Sequence, residues 1–124
     1  MKTHHAQCTT GTRAAMDFVD ITDEIQACLD DSGIRGGQVT VFSPQPNCAI
    51  VVNELESGLL ADIKAAADRL GASRPQERRT MIGSASAVFP AIDGKLQLGT
   101  WQRVLLVELE GPSTRSVLVQ IVGE

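Results

Sequence analysis

Apolar positions recur at helical spacing in two stretches of the chain and alternate or cluster at strand spacing in the rest. From Val19 to Leu29, Ile21, Ile25, Cys28 and Leu29 fall on one face of a 3.6-residue period, which predicts a short helix. Thr22 is the predicted cap, Asp23 and Glu24 suit the positive end of the helix dipole, and Gly33 is the predicted stop. The second helix is predicted from Ser57 to Leu70, with Leu59, Leu60, Ile63, Ala66, Ala67 and Leu70 on one stripe. Ser57 is its predicted cap, Lys64 and Asp68 form an i,i+4 pair, and Gly71 is its predicted stop. Gly71 to Thr80 reads as a solvated loop carrying Arg74, Arg78 and Arg79.

Strand patterns fill the remainder. Gln38 to Phe42 alternates, Ser43-Pro44-Gln45-Pro46-Asn47 breaks it, and Ala49 to Val52 resumes as a buried strand. Ala85–Phe89, Lys95–Leu98, Arg103–Leu109 and Ser116–Val122 follow, punctuated by Pro90, Asp93-Gly94, Gly99 and Gly111-Pro112. Asp93-Gly94 is a hairpin signal, because its turn requires positive φ. Val104–Val107 and Val117–Val119 are apolar on both faces, as strands covered on two sides are. Lys2–Thr9 and Ala14–Val19 are predicted to pair as a first hairpin around Gly11. Strands, helix, two strands, helix, then a run of strands predict an α+β fold with a largely antiparallel sheet.

At 124 residues the chain suits one domain, 1–124, large enough to bury a core without staples. A hydrophobic content of 43% against 21% charged residues excludes a disordered tail. Lys and Arg number 11 against 15 Asp and Glu, a net charge of -4, which argues against broad nucleic-acid or anionic-membrane binding. No apolar run reaches the roughly 20 residues needed to span a bilayer, and the first twelve residues lack a secretory apolar stretch. Cys8, Cys28 and Cys48 are odd in number and form no CxxC pair, so the expectation is a reduced, cytoplasmic protein with no disulfide framework or four-cysteine zinc site.

Few residues offer chemistry. His4 and His5 are the only histidines, and on a strand they point to opposite faces, so they do not grip one metal together. Asn53 and Glu54 close a buried strand just before a helix, a position that either lines a pocket or simply enters water. Asp62 is read first as a solvent-facing helix residue; paired with Glu54 it would supply a general acid through mutual repulsion. The single tryptophan, Trp101, is read as a core anchor, with Thr100 and Gln102 sharing the opposite face. Cys48 is read as a small core residue, and Arg115, at a strand start, as an anion clamp or a surface arginine.

In this order the motifs Asp20-Ile21-Thr22-Asp23-Glu24-Ile25, Gly37, Asn53-Glu54, Asp62, Ile82-Gly83-Ser84, Pro90, Asp93-Gly94, Leu98-Gly99-Thr100-Trp101-Gln102, Gly111-Pro112 and Arg115 resemble the YjbQ-like family, described as secondary thiamine-phosphate synthases. The resemblance covers nearly the whole chain. It implies a sandwich-like subunit with two helices, commonly a homotrimer, with a polar pocket. It also implies a low-level coupling of a pyrimidine diphosphate to a thiazole phosphate. Glu54 or Asp62 would be the catalytic acid/base; Gln45, Asn53, Thr100, Gln102 and Arg115 would contact a small anionic or phosphorylated ligand. The departures are specific. Gln45 stands where the family has a histidine, and the two further histidines expected between Asp62 and Gly83 are absent. Glutamine is a poor ligand for transition ions and exchanges no proton near neutral pH. The expectation is therefore a divergent member without the histidine metal site and without a cofactor. It would be a degenerate oligomeric binding or structural subunit; the alternative is an enzyme with weak thiamine-phosphate-synthase-like activity on small phosphorylated substrates.

Overall fold

The computed structural model describes residues 1–70 and 74–124. In chain order the elements are β1 (Lys2–Gly11), β2 (Asp17–Asp20), α1 (Thr22–Ser32), β3 (Gly37–Phe42), β4 (Cys48–Glu54) and α2 (Ser57–Arg69). They continue with α3 (Pro75–Ile82), β5 (Ser86–Ile92), β6 (Lys95–Leu96), β7 (Gln102–Glu108) and β8 (Thr114–Gly123). The architecture is α+β. Five strands form one sheet in the order β1-β8-β3-β5-β6, and three form a second in the order β2-β7-β4, with every strand pairing antiparallel.

The core lies between the two sheets. Val39, Val41, Phe89, Val117, Val119 and Ile121 of the larger sheet face Cys48, Ile50, Val104 and Leu106 of the smaller one, and Ile21, just before α1, joins the same cluster with Ile25 and Leu29 of that helix. The other face of the small sheet is covered as well: Ala49 and Val107 pack with Ala67 of α2, Met16 and Leu109. Both faces of β7 are thus dry, which is why Val104 to Leu109 is an unbroken apolar run except at Glu108.

Several local expectations change. The first hairpin does not form: β1 runs beside β8 from Lys2↔Gly123 to Gly11↔Thr114, and β2 runs beside β7. Thr22 does not cap α1. Its hydroxyl donates to Asp20 Oδ1 at 2.6 Å and accepts from the Val104 amide at 2.8 Å, joining the helix to β7. Glu56, not Ser57, caps α2, its carboxylate accepting from the amides of Gly58 and Leu59 at 2.7 Å each. Asp68 pairs with Arg78, at 3.7 Å. The predicted stop at Gly71 lies outside the described residues. Trp101 is no core anchor, being 74% exposed. The Asp93-Gly94 turn forms as expected, with φ of 53° and 77° between the paired Ile92 and Lys95.

The segment read as a loop contains a third helix, α3, with Pro75 in its first turn, where the missing amide costs nothing. Gly83 ends α3 at a close approach to β4. A Cβ there would lie 2.9 Å from Ala49 Cβ, 2.9 Å from Val51 Cγ2 and 3.0 Å from the Ile50 carbonyl, beside the Ile50↔Ser84 bridge. Gly83→Ala is expected to push α3 off the sheet and to cost about 1–3 kcal/mol, the usual penalty of overpacking. A urea titration checks this; an unchanged midpoint contradicts the close approach.

Candidate functional site

The residues singled out above divide between the two ends of β4. Its seven residues span about 20 Å at a strand's rise. At the C-terminal end, Glu54 lies opposite Gln102 and Asn53 opposite Arg103 on β7. Gln102 is fixed from two directions: its side-chain carbonyl accepts from the Gly99 amide at 2.7 Å, and its own amide donates to the Gly99 carbonyl at 3.0 Å. This turn presents Thr100 and Trp101 to solvent. Asn53 Oδ1 accepts from the Glu54 amide at 2.8 Å. Arg103 bonds Asp20 at 2.7 Å and Asp23 at 3.0 Å, so the Asp20–Ile25 motif serves to lock α1 to β7. Burial works against the Asp20 charge, but the Thr22 hydrogen bonds and Arg103 outweigh it and hold the carboxyl below its usual range.

Asn53 also faces an apolar cavity of about 290 Å³ beneath α2 and α3, walled by Phe18, Val51, Ile63 and Met81 among others. Asp62 is exposed on α2 and does not line that cavity. Glu54 is exposed as well. The two carboxylates are in water rather than enclosed with a substrate-sized space.

The N-terminal end of β4 is different in chemistry. Gln45 accepts from the hydroxyl of the buried Ser43 at 3.0 Å, and Arg79 of α3 reaches the Ser43 carbonyl at 3.5 Å. Beside them opens a cavity of about 430 Å³ lined by Pro46, Gln76, Arg79, Thr80, Gly83, Ser84 and Ala85. Its lining holds one guanidinium, two hydroxyls and an amide, and no carboxylate.

Close to that end sits an internal ion pair. Glu108 is fully buried; Arg115 Nε meets its Oε1 at 2.7 Å and Arg115 Nη2 meets its Oε2 at 2.9 Å. Thr12 adds a hydroxyl bond at 2.7 Å and the Glu110 amide one at 3.1 Å. Burial alone would push the Glu108 carboxyl up, but the bonds from Arg115, Thr12 and the backbone amides prevail and hold it at about 2. Arg115 is committed to this carboxylate. Cys48 is buried next to it, and burial followed by the Glu108 charge pushes its thiol up to about 11, as suits a core residue rather than a nucleophile.

The structure therefore sets Glu54 opposite Gln102 and Asn53 opposite Arg103 at one end, with Thr100 in the turn before β7, places Gln45 at the other, leaves Asp62 on a helix surface and ties Arg115 inward. Among the described residues, no group of three or more His, Cys, Asp or Glu side chains is placed to hold a metal ion. Sequence reasoning missed Gln76, Arg79, Thr80 and Ser84 as a set. The signals were the Pro75 helix start and the spacing of Gln76, Arg79 and Thr80, which puts them on one face of a helix.

Comparison with known proteins agrees with this architecture. The family model described as UPF0047 protein YjbQ-like matches residues 6–124. The chain belongs to the YjbQ-like family. It is 37% identical to a UPF0047 protein of Archaeoglobus fulgidus, covering 92% of this chain and 98% of that one. A UPF0047 protein of Methanothermobacter thermautotrophicus is 30% identical over 100% of this chain and 95% of its own. Among solved structures, a YbjQ-like protein of unknown function from Sulfolobus solfataricus superposes with a TM-score of 0.92, at 36% identity and 99% coverage of both chains. The fold of this YjbQ-like chain is thus that of solved family members, with the antiparallel sheets and helices described above.

Proposed function

We propose that this chain is an oligomeric binding subunit that takes a small anionic or phosphorylated ligand without turning it over. The observation that carries the reading is the cavity at the N-terminal end of β4: Arg79, Gln76, Thr80 and Ser84 offer positive charge and hydrogen-bond donors, with no acid or base in the lining. A coupling reaction of the kind the family resemblance implies needs Glu54 or Asp62 at the anion. In one chain neither carboxylate is among the residues lining this cavity: Glu54 ends β4 and Asp62 lies on α2. Catalysis would therefore require a neighbouring copy to bring its Glu54 to this cavity. The test is calorimetric titration of the full chain with pyrophosphate, on the wild type and on Arg79→Ala. Binding that depends on Arg79 supports the reading; no binding heat at millimolar pyrophosphate removes it.

The proposed assembly is a homotrimer. Its support is the outer face of the larger sheet, where Phe42 lies opposite Leu118 and Val88 lies opposite Thr40, with His5 and Gln120 nearby. Phe42, Leu118 and Val88 are 40%, 42% and 57% exposed. Apolar side chains left exposed on a sheet face suit burial by another subunit. Light scattering at micromolar concentration is expected to give three times the chain mass; a monomer mass contradicts it. No helix among the described residues is long and apolar enough to cross a membrane. The three free cysteines fit the proposed cytoplasmic setting.

A further inference from the structure

Two of the three cysteines are neighbours in space. β1 is an edge strand, and His4, Ala6 and Cys8 alternate toward the protein interior while His5, Gln7 and Thr9 face out. α1 lies against that inner side. Cys8 Sγ is 4.0 Å from the Glu24 carbonyl and 3.5 Å from Sγ of Cys28, one helical turn further on. Both thiols are partly buried and both are free. A disulfide requires the sulfurs to close by about 1.5 Å. Cys48 is fully buried on β4 with its thiol 3.9 Å from Glu108 Oε2, and takes no part.

We propose that Cys8 and Cys28 form a reversible dithiol–disulfide pair, which a low-molecular-weight disulfide oxidises to a covalent staple between the edge strand and the first helix. The thiolate of Cys28 attacks the small disulfide, forms a mixed disulfide and releases one small thiolate. Cys8 then loses its proton and attacks the Cys28 sulfur, forming the Cys8–Cys28 bond and releasing the second small thiolate. Two protein thiols and one small disulfide become one protein disulfide and two small thiols, with two electrons passing to the small molecule. The exchange balances in the same way whichever of the two sulfurs attacks first. Burial first, and the neighbouring Cys28 second, push the Cys8 thiol up to about 12, and capping Cys28 removes its share of that effect. The staple closes a loop of about 20 residues that includes β2, so it restrains the two elements that enter the sheets far from their sequence neighbours.

The experiment equilibrates the full chain with graded mixtures of reduced and oxidised glutathione, then reads intact mass, tryptic peptides and the thermal midpoint. The expected result is a loss of about 2 Da, with the two hydrogens removed, and a midpoint raised by on the order of 10 °C. Peptide Thr3–Arg13 should be joined to Ala14–Arg35. Cys8→Ser and Cys28→Ser should each abolish the mass loss and the thermal shift, and Cys48→Ser should abolish neither. Retention of all thiols, arrest as a glutathione adduct, linkage through Cys48, or a linked pair with an unchanged midpoint overturns the proposal.

Discussion

Arg115→Ala is expected to destabilise the protein by about 3–5 kcal/mol, because it leaves a buried carboxylate without its counter-charge. Glu108 has no exposed surface, and Arg115 supplies two of its short hydrogen bonds. Thr12 and the Glu110 amide remain in the variant, but neither carries charge. Domains of this size are stable by only about 5–15 kcal/mol, so the loss moves a urea midpoint far down. Replacing both partners with apolar residues, as in Glu108→Leu with Arg115→Met, is expected to recover much of the loss, since the desolvation of both charges disappears. A near-silent Arg115→Ala contradicts the internal role and returns the arginine to the surface.

The pH dependence gives the same pair a second signature. In the folded protein Glu108 ionises at about 2, well below the ordinary glutamate value near 4.5. Its contribution is therefore complete above about pH 5 and is lost as pH falls toward about 2, a loss on the order of 3 kcal/mol. In Arg115→Ala, burial of the carboxyl is no longer opposed by the guanidinium, and protonation relieves it. The stability difference between wild type and variant should accordingly narrow as the solution is acidified through that window.

The second large effect concerns binding. Arg79→Ala is expected to weaken pyrophosphate binding by about 10- to 100-fold, the range that follows from losing a charge-assisted hydrogen bond of roughly 1.5–3 kcal/mol. Arg79→Lys keeps the charge but not the planar fork and should fall between. The remaining affinity of the wild type should drop with added salt, because the cavity is open and its charge is screened. Equal affinity in wild type and Arg79→Ala would place the anion elsewhere.

The strands of the final third, the α2 stripe and the Asp93-Gly94 turn were legible in the sequence because each depends on local periodicity or local φ. Pairing was not. β1 and β8 meet across a hundred residues of chain, and nothing in Lys2–Thr9 names Ser116 or Val122 as its partner. α3 was obscured because it buries no residue fully, so its apolar stripe is weak and its Pro75 start is the clearer sign. At the site, the register sets Asn53 opposite Arg103 and Glu54 opposite Gln102, a pairing across some fifty residues that local sequence does not announce. The separation of Gln45 from that group was missed, although a seven-residue strand between them sets it directly. Arg115 was read as a free cation because its partner, Glu108, sits inside an apolar run whose lone charge was the signal. Likewise Cys8 and Cys28, far apart in sequence, meet because α1 lies against the inner side of the edge strand.

The measurement that bears most directly on the account is a calorimetric titration of Glu54→Gln/Asp62→Asn with pyrophosphate, alongside the wild type. If the anion is held by α3 and the Ser43–Asn47 segment, the double variant binds as the wild type does. Loss of the binding heat on removing those two carboxylates would contradict it, and would put the working site at the other end of β4.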